Sequence, residues 1–271
     1  MAQAQTSAGL NDLTKEAYRE KTTKINPEAQ SLLESYSKIA PDKVAQHFLP
    51  CTMGHMPYTK LLKTSPTGGF LDAGYAGCCF AQEFRFLANQ SLPHSRLSGC
   101  DLERVFIDLG YRLFLDEGTQ GAKFVTGNLA VPDESTYQSG PLTQEQSGKM
   151  MAVFASSLFH MWDFENQLLV AKRMVAMCED RPGVMITGRQ LGSYLGGHYP
   201  MTGMRKDGDK FKHYWHNEQT IRGFWHEIGE ATGTQGTVEA ATYMAEKMEQ
   251  TKNAPFAEPN TCMIWWCATR I

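Results

Sequence analysis

The sequence predicts an α/β protein with a parallel sheet covered by helices on both faces. Three observations carry that expectation. From residue 70 onward, short apolar runs alternate with amphipathic segments of helical period. Residues 68–101 read as strand, glycine-bearing turn, helix, strand and acid, which is the first half of a mononucleotide-binding unit. Polar residues also fall where successive strands end, at Asp72, Asp101, Asn128 and His160. Ligands of open parallel sheets bind beyond the carboxyl ends of the strands, so four such residues on one edge mark a binding site.

The elements follow in order. Residues 1–10 are expected to be disordered, and 11–66 to form a helical accessory segment ahead of the main domain, 67–271. Within that segment, 11–23 is a polar helix. Pro27 opens a second helix with Leu32, Leu33, Tyr36 and Ile39 on one stripe, and 42–48 is a third. These helices precede a sheet that is complete without them. They serve as a lid or simply as packing, and the sequence leaves both open. Phe70-Leu71 is the first strand and ends in Asp72. The turn Gly74-Tyr75-Ala76-Gly77 leads into a helix over 78–89, with Phe80, Phe84 and Leu87 on one face. A second strand over 97–100 delivers Asp101, and Leu102, Val105, Phe106, Leu109 and Leu113 mark the next helix. The third strand, 123–126, delivers Gly127-Asn128, and 130–148 is a Pro/Ser/Gly/Gln-rich loop with room for one helical turn. The fourth strand, 151–156, precedes His160 and a helix over 164–178. A turn at 180–183 enters a fifth strand, 184–187. Residues 188–217 read as a glycine- and aromatic-rich loop and 218–232 as a helix. Two β-rich segments, 237–242 and 262–269, close the chain.

The 271 residues carry a formal net charge of −3, and the strongest basic cluster, 205–212, is interleaved with aspartates. Nucleic-acid binding is therefore excluded as an expectation. No apolar run reaches membrane-spanning length, and the polar N-terminus lacks a signal-peptide pattern. The seven cysteines show no CxxC or Cys/His ligand spacing, so reduced thiols, a cytoplasmic location and no metal site are expected.

The turn D-x-G-x-x-G is not the pyrophosphate pattern. It resembles the first motif of class I S-adenosylmethionine-dependent methyltransferases. The likeness extends from residue 41 to the end through CCFAQEFRFL (78–87), DLERVFIDLGYRLFLDEG (101–118), FVTGNLA (124–130), ASSLFHMWDFENQLLVAKRM (155–174), PGVMITGRQLGS (182–193) and HNEQTIRGFWHEIGEATGTQ (216–235). In this order the segments resemble fungal methyltransferases of polyketide and meroterpenoid pathways. The resemblance implies a Rossmann-like fold: a seven-stranded, mostly parallel sheet with an antiparallel last strand, 262–269, tucked in beside the edge. It also implies S-adenosylmethionine as cofactor and a small-molecule substrate. By position, Asp72, Gly74 and Gly77 would line the methionine part and Asp101 would hold the ribose hydroxyls. Leu102 would lie against the adenine, Asn128 would face its amine, and Ala155 and Ser156 would sit beneath the cofactor. His160 and Trp215 would face the substrate. Such relatives run an acid-x-Gly directly into Cys-Cys-Phe-Gly-Gln. This chain carries Tyr75-Ala76-Gly77 in between, and has Ala81 at the glycine.

His160 carries two readings, a general base for a hydroxyl proton or a satisfied, partly buried histidine. Asp163 either orients it or caps the following helix, and the cap is favoured. His198, His213 and His216 lie in the loop after the fifth strand and read individually as surface residues. Methyl transfer asks for alignment and exclusion of water rather than a charge relay, which fits the absence of a Ser/His/Asp pattern. The sequence thus favours O- or carboxyl-methylation of a small secondary metabolite. The alternatives are a methyltransferase-like cyclase or pericyclase and a non-catalytic partner, and a homodimer is left open.

Overall fold

The central strands of the sheet, Gly69–Asp72, Leu97–Asp101 and Met150–Phe154, are apolar runs buried on both sides. Met150–Phe154 (MMAVF) is buried at all five positions, as is Leu97–Asp101. This is why these strands appear as continuous rather than alternating hydrophobic patterns. The computed structural model describes residues 27–39, 57–65, 67–74, 78, 80–200, 212–243, 258 and 260–271. The chain divides into two units, 1–53 and 54–271. In the first, α1 (Pro27–Ser35) begins on the expected proline, and Leu32, Leu33 and Ile39 are buried. The expected helices over 11–23 and 42–48 lie outside the described residues.

The second unit runs α2 (Pro57–Thr64), β1 (Gly69–Asp72), α3 (Gln82–Asn89), β2 (Leu97–Asp101), α4 (Arg104–Phe114) and β3 (Lys123–Thr126). There follow α5 (Glu134–Ser139), α6 (Pro141–Gln146), β4 (Met150–Phe154), α7 (Phe164–Met177), β5 (Met185–Ser193), β6 (Gly197–Pro200) and β7 (Lys212–Trp215). It ends with α8 (Glu218–Thr232), β8 (Gly236–Tyr243) and β9 (Thr261–Arg270). The seven-stranded sheet has the order β3-β2-β1-β4-β5-β9-β8. The β1–β5 part is parallel, and β9 runs antiparallel between β5 and β8. This is the Rossmann-like methyltransferase arrangement, with the last strand inserted next to the edge. The chain leaves β1 toward β2 on one side and returns to β4 on the other, so the topological switch lies between β1 and β4.

One core layer packs Val170, Ala171 and Met174 of α7 and Ile221 and Phe224 of α8 against Val153, Ile264 and Trp266. The opposite layer packs Tyr58 and Leu62 of α2 and Phe84 and Leu87 of α3 against Phe70, Ala152 and Phe154. Helix starts are set by side chains. Asp163 caps α7 by accepting from Asn166 N at 2.9 Å, the favoured one of its two readings. Asn217 and Thr220 form a reciprocal capping box on α8.

Four local expectations need correction. Residues 130–148 hold two six-residue helices, α5 and α6, the first capped by Asp133 and the second opened by Pro141. The fifth strand does not stop at residue 187. It continues to Ser193 because β9 pairs with it from Met185↔Thr269 to Ser193↔Thr261. The stretch after it is not all loop, since β6 and β7 form a hairpin. The helix after the cofactor turn begins at Gln82, not at residue 78, because Ala81 adopts φ 51, ψ 51 in the left-handed region. That conformation favours glycine, the residue that the resembling family carries at this position.

Candidate functional site

Asp72 and Asp101 are the last residues of adjacent parallel strands, and both are almost wholly buried, at 3% and 1% exposure. Burial comes first in raising the Asp72 carboxyl well above its ordinary pKa, followed by the negative charge of Glu83; Asp101 adds to it, and a hydrogen bond from Gly74 N opposes. That bond, 3.1 Å to Asp72 Oδ1, folds the chain back tightly after β1. A Cβ at Gly74 would stand 3.0 Å from Ser156 O, so only a glycine lets the two segments approach this closely without adjustment. Ala155 is fully buried, its N–H donating to Thr187 O at 2.8 Å. Ser156 Oγ reaches Arg189 O at 3.4 Å. Asp101 Oδ1 accepts from Glu103 N at 2.8 Å, which fixes the carboxylate at the mouth of α4. Leu102 is 48% exposed beside it. Asn128 is exposed two residues past β3, its Oδ1 accepting from Ala130 N at 2.8 Å. Gly77 and the two residues before it lie outside the described residues.

Two buried acids, a close-approach glycine and an exposed leucine on neighbouring strand ends form a cradle. It suits a ligand with a positive end, a diol and a flat ring. The acids meet the first two, and the leucine and Asn128 meet the last.

His160 lies in a 3₁₀ turn, Phe159–Met161, that follows β4. It is buried, and burial, with the nearby His213 ring second, lowers its pKa to about 3. The ring is therefore neutral throughout the physiological range, and its Nδ1 has no hydrogen-bond partner among the described residues. The turn is tied to the β6–β7 hairpin: Tyr214 N donates to Trp162 O and His213 Nδ1 donates to His160 O, both at 2.9 Å. Trp215 is buried on β7 and stacks on Tyr199 with centroids 4.8 Å apart. His213 and His216 are likewise buried, whereas each read individually from the sequence as surface; His198 is exposed, in ring contact with Tyr214. His216 bonds Gln167 Oε1 at 2.9 Å and Thr220 Oγ1 at 3.2 Å, a structural pairing that holds β7 to α7 and α8.

Three contributors escaped the sequence reading. Tyr58 of α2 donates to Glu83 Oε2 at 2.8 Å, and burial, then Glu83, raises its pKa. Glu83, in the first turn of α3, thereby joins the acids around Asp72. Gln190 is wholly buried on β5. Its only sequence signal is an amide between two glycines in a segment otherwise suited to a strand. A separate groove of about 680 Å³, lined by Trp225, Ile228, Val238 and Arg270 among others, lies at the opposite end of the sheet, where β5 begins.

Comparison with known proteins bears on the family and the fold. No protein-family model matches the chain. The O-methyltransferase phiE of a fungal species is 30% identical over 231 residues, covering 76% of this chain and 72% of that protein. The O-methyltransferase atr3 of Stereocaulon alpinum is 29% identical over 244 residues, 82% of this chain and 68% of that protein. The methyltransferase adrK of Penicillium roqueforti is 29% identical over 242 residues, 81% and 82%. Among solved structures, the N-terminal domain of EvdMO1 with S-adenosylhomocysteine bound superposes with a TM-score of 0.51 at 10% identity, covering 79% of this chain and 78% of that one. Phosphoethanolamine N-methyltransferase 2 of Haemonchus contortus in complex with S-adenosyl-L-methionine gives 0.50 at 12%, covering 90% and 60%. At such identities the superpositions establish the fold, and the sequence relatives establish the kinship. The chain belongs to the class I S-adenosylmethionine-dependent methyltransferases, in the group represented by these fungal enzymes.

Proposed function

We propose that the protein binds S-adenosylmethionine at the Asp72–Asp101 edge and transfers its methyl group to an oxygen of a small secondary metabolite. The observation that carries the proposal is the pair of buried carboxylates at adjacent strand ends beside the topological switch. The cofactor, when bound, supplies a methyl on a positively charged sulfur that is open to in-line displacement. Asp101 would accept from the ribose hydroxyls, and Asp72 with Gly74 and Gly77 would receive the methionine part. Leu102 and Asn128 would flank the adenine, with Ala155 and Ser156 beneath. Trp215 would wall the acceptor pocket. His160 would meet the acceptor as a neutral imidazole, able to accept its proton as the methyl arrives. Because burial keeps His160 unprotonated down to about pH 3, this role brings no acidic limb near pH 6.5.

The test is calorimetry with S-adenosylhomocysteine on the wild type and on Asp101→Ala. The substitution removes charge-assisted bonds worth about 1.5–3 kcal/mol each, so affinity should fall roughly 10- to 150-fold per bond. Unchanged affinity would overturn the assignment.

A further inference from the structure

Arg173 of α7 is 4% exposed, and its guanidinium is turned to a single segment, the one that leaves β3. Nη1 donates to Leu129 O at 2.7 Å and to Val131 O at 2.8 Å, and Nη2 donates to Glu134 Oε2 at 2.7 Å. The guanidinium carbon lies 4.0 Å from the centre of the Tyr137 ring. One cation thus grips two backbone carbonyls of the turn after β3 and two side chains of α5.

That turn carries Asn128. Gly127 N donates to Asp101 O at 2.9 Å, so the turn begins against the strand end that bears the buried acid. A Cβ at Gly127 would come 2.7 Å from Leu142, so α6 closes on the turn from another side. Asn128 Oδ1 accepts from Ala130 N at 2.8 Å, which fixes the oxygen end of the amide and leaves that oxygen a second lone pair. Val131 N reaches back to Asn128 O at 3.5 Å. These local bonds are few, and the six residues of α5 are too short a helix to hold the turn by themselves. What keeps the carbonyls of Leu129 and Val131 directed to one point is the Arg173 nitrogen they share.

We infer that Arg173 is a positioning residue for recognition of the adenine base: it holds residues 128–131 so that Asn128 presents its amide oxygen to the base amine, and it does not itself touch the ligand. This rests on the reading of the Asp72–Asp101 edge as the cofactor site and deepens it. The adenine amine is a neutral donor and needs an acceptor held still, because a loose amide can turn its NH2 end toward the base instead. The Ala130 N–H prevents that rotation only while the backbone from 128 to 131 keeps its shape. Arg173 keeps the shape from the buried side of the turn, whereas Asn128 is exposed. The two residues therefore act in series, and loss of either should remove the same discrimination.

Calorimetry measures the affinity for S-adenosylhomocysteine and for S-inosylhomocysteine, in which a carbonyl replaces the adenine amine. The proteins are the wild type, Asn128→Ala, Arg173→Met, Arg173→Lys and Asn128→Ala/Arg173→Met, with thermal unfolding recorded for each. The Glu134 side chain is 57% exposed, so Arg173→Met strands no buried charge. We expect the wild type to prefer the adenosyl compound by roughly tenfold. Asn128→Ala and Arg173→Met should each cut that preference below about threefold, and the double variant should cut it no further. Arg173→Lys keeps a cation without the fork, so its preference should fall between, and it gives the reading if Arg173→Met does not fold. A merely structural role would lower the melting temperature and weaken both ligands alike. An unchanged preference in a folded Arg173 variant therefore overturns the inference. No preference in the wild type, or one that survives Asn128→Ala, overturns it too and leaves the cofactor reading standing. Absence of S-adenosylhomocysteine binding by the wild type refutes the cofactor reading and the inference together.

Discussion

Replacing Arg85 with Met tests how the entry to α3 is held beside the cofactor turn. Arg85 is fully buried, its Nε and Nη2 donating to Asp116 Oδ2 and Oδ1 at 2.7 and 2.9 Å. Its Nη1 donates to Phe80 O at 2.5 Å and to Ala81 O at 3.3 Å. The guanidinium also lies 4.6 Å from the centre of the Phe114 ring. Methionine keeps the packing of the stem, so what is lost is the charge and its donors. Asp116 is then left buried without its guanidinium, which costs about 3–5 kcal/mol. Replacing both residues, as Arg85→Met/Asp116→Leu, removes the stranded charge. Most of the loss should be recovered, leaving about 1 kcal/mol for each backbone carbonyl that has lost its donor. Urea denaturation reads both variants, with the m-value expected to stay constant so that the midpoint reports stability. A loss below about 1 kcal/mol in the single variant would refute the reasoning, as would equal losses in single and double variants.

Two further predictions concern pH and backbone strain. His160 and His216 are held near pKa 3, against an ordinary 6.5, so the folded state binds fewer protons than the unfolded. Stability is then greatest above pH 6.5 and falls as pH drops toward 3, by about 1.4 kcal/mol per unit for each ring. The raised Asp72 carboxyl works in the opposite direction below its own raised pKa, so Asp72→Asn should lose stability more steeply than the wild type as the pH falls. Denaturant midpoints that stay flat between pH 6.5 and 4.5 would contradict this. Ala81→Gly should be close to neutral, because relief of the left-handed strain offsets the added chain entropy and the lost methyl. Ala88→Gly, inside α3, should cost about 1 kcal/mol. Equal costs at the two positions, read by thermal melting, would show that Ala81 carries no strain.

β1 and β2 were legible because each is short, buried on both faces and ends in a polar residue. Asp72 and Asp101 stand out for that reason against Phe70-Leu71 and the run ending at Cys100. The extension of β5 was not legible. Gly188 and Gly192 break the apolar pattern, and they are glycines because Ala155 O and His216 O approach them, a fact of tertiary packing. The β6–β7 hairpin was missed because its strands are separated by 201–211, far longer than a two-residue turn that would announce it. Trp215 could be singled out as an aromatic in the glycine-rich stretch after the fifth strand, but Gln190 could not. An amide in a sequence reads as surface until a turn and a second strand close over it.

The acids of the site also bear on the charge of the ligand it would take. Asp72, Asp101 and Glu83 influence one another closely enough that like charge raises the Asp72 pKa further than burial alone. Such a cluster is unfavourable in the empty protein, and a cation is the ligand that relieves it. In the proposed complex Asp72 would ionise on binding, so that binding would be linked to release of its proton wherever the pH lies below its raised pKa.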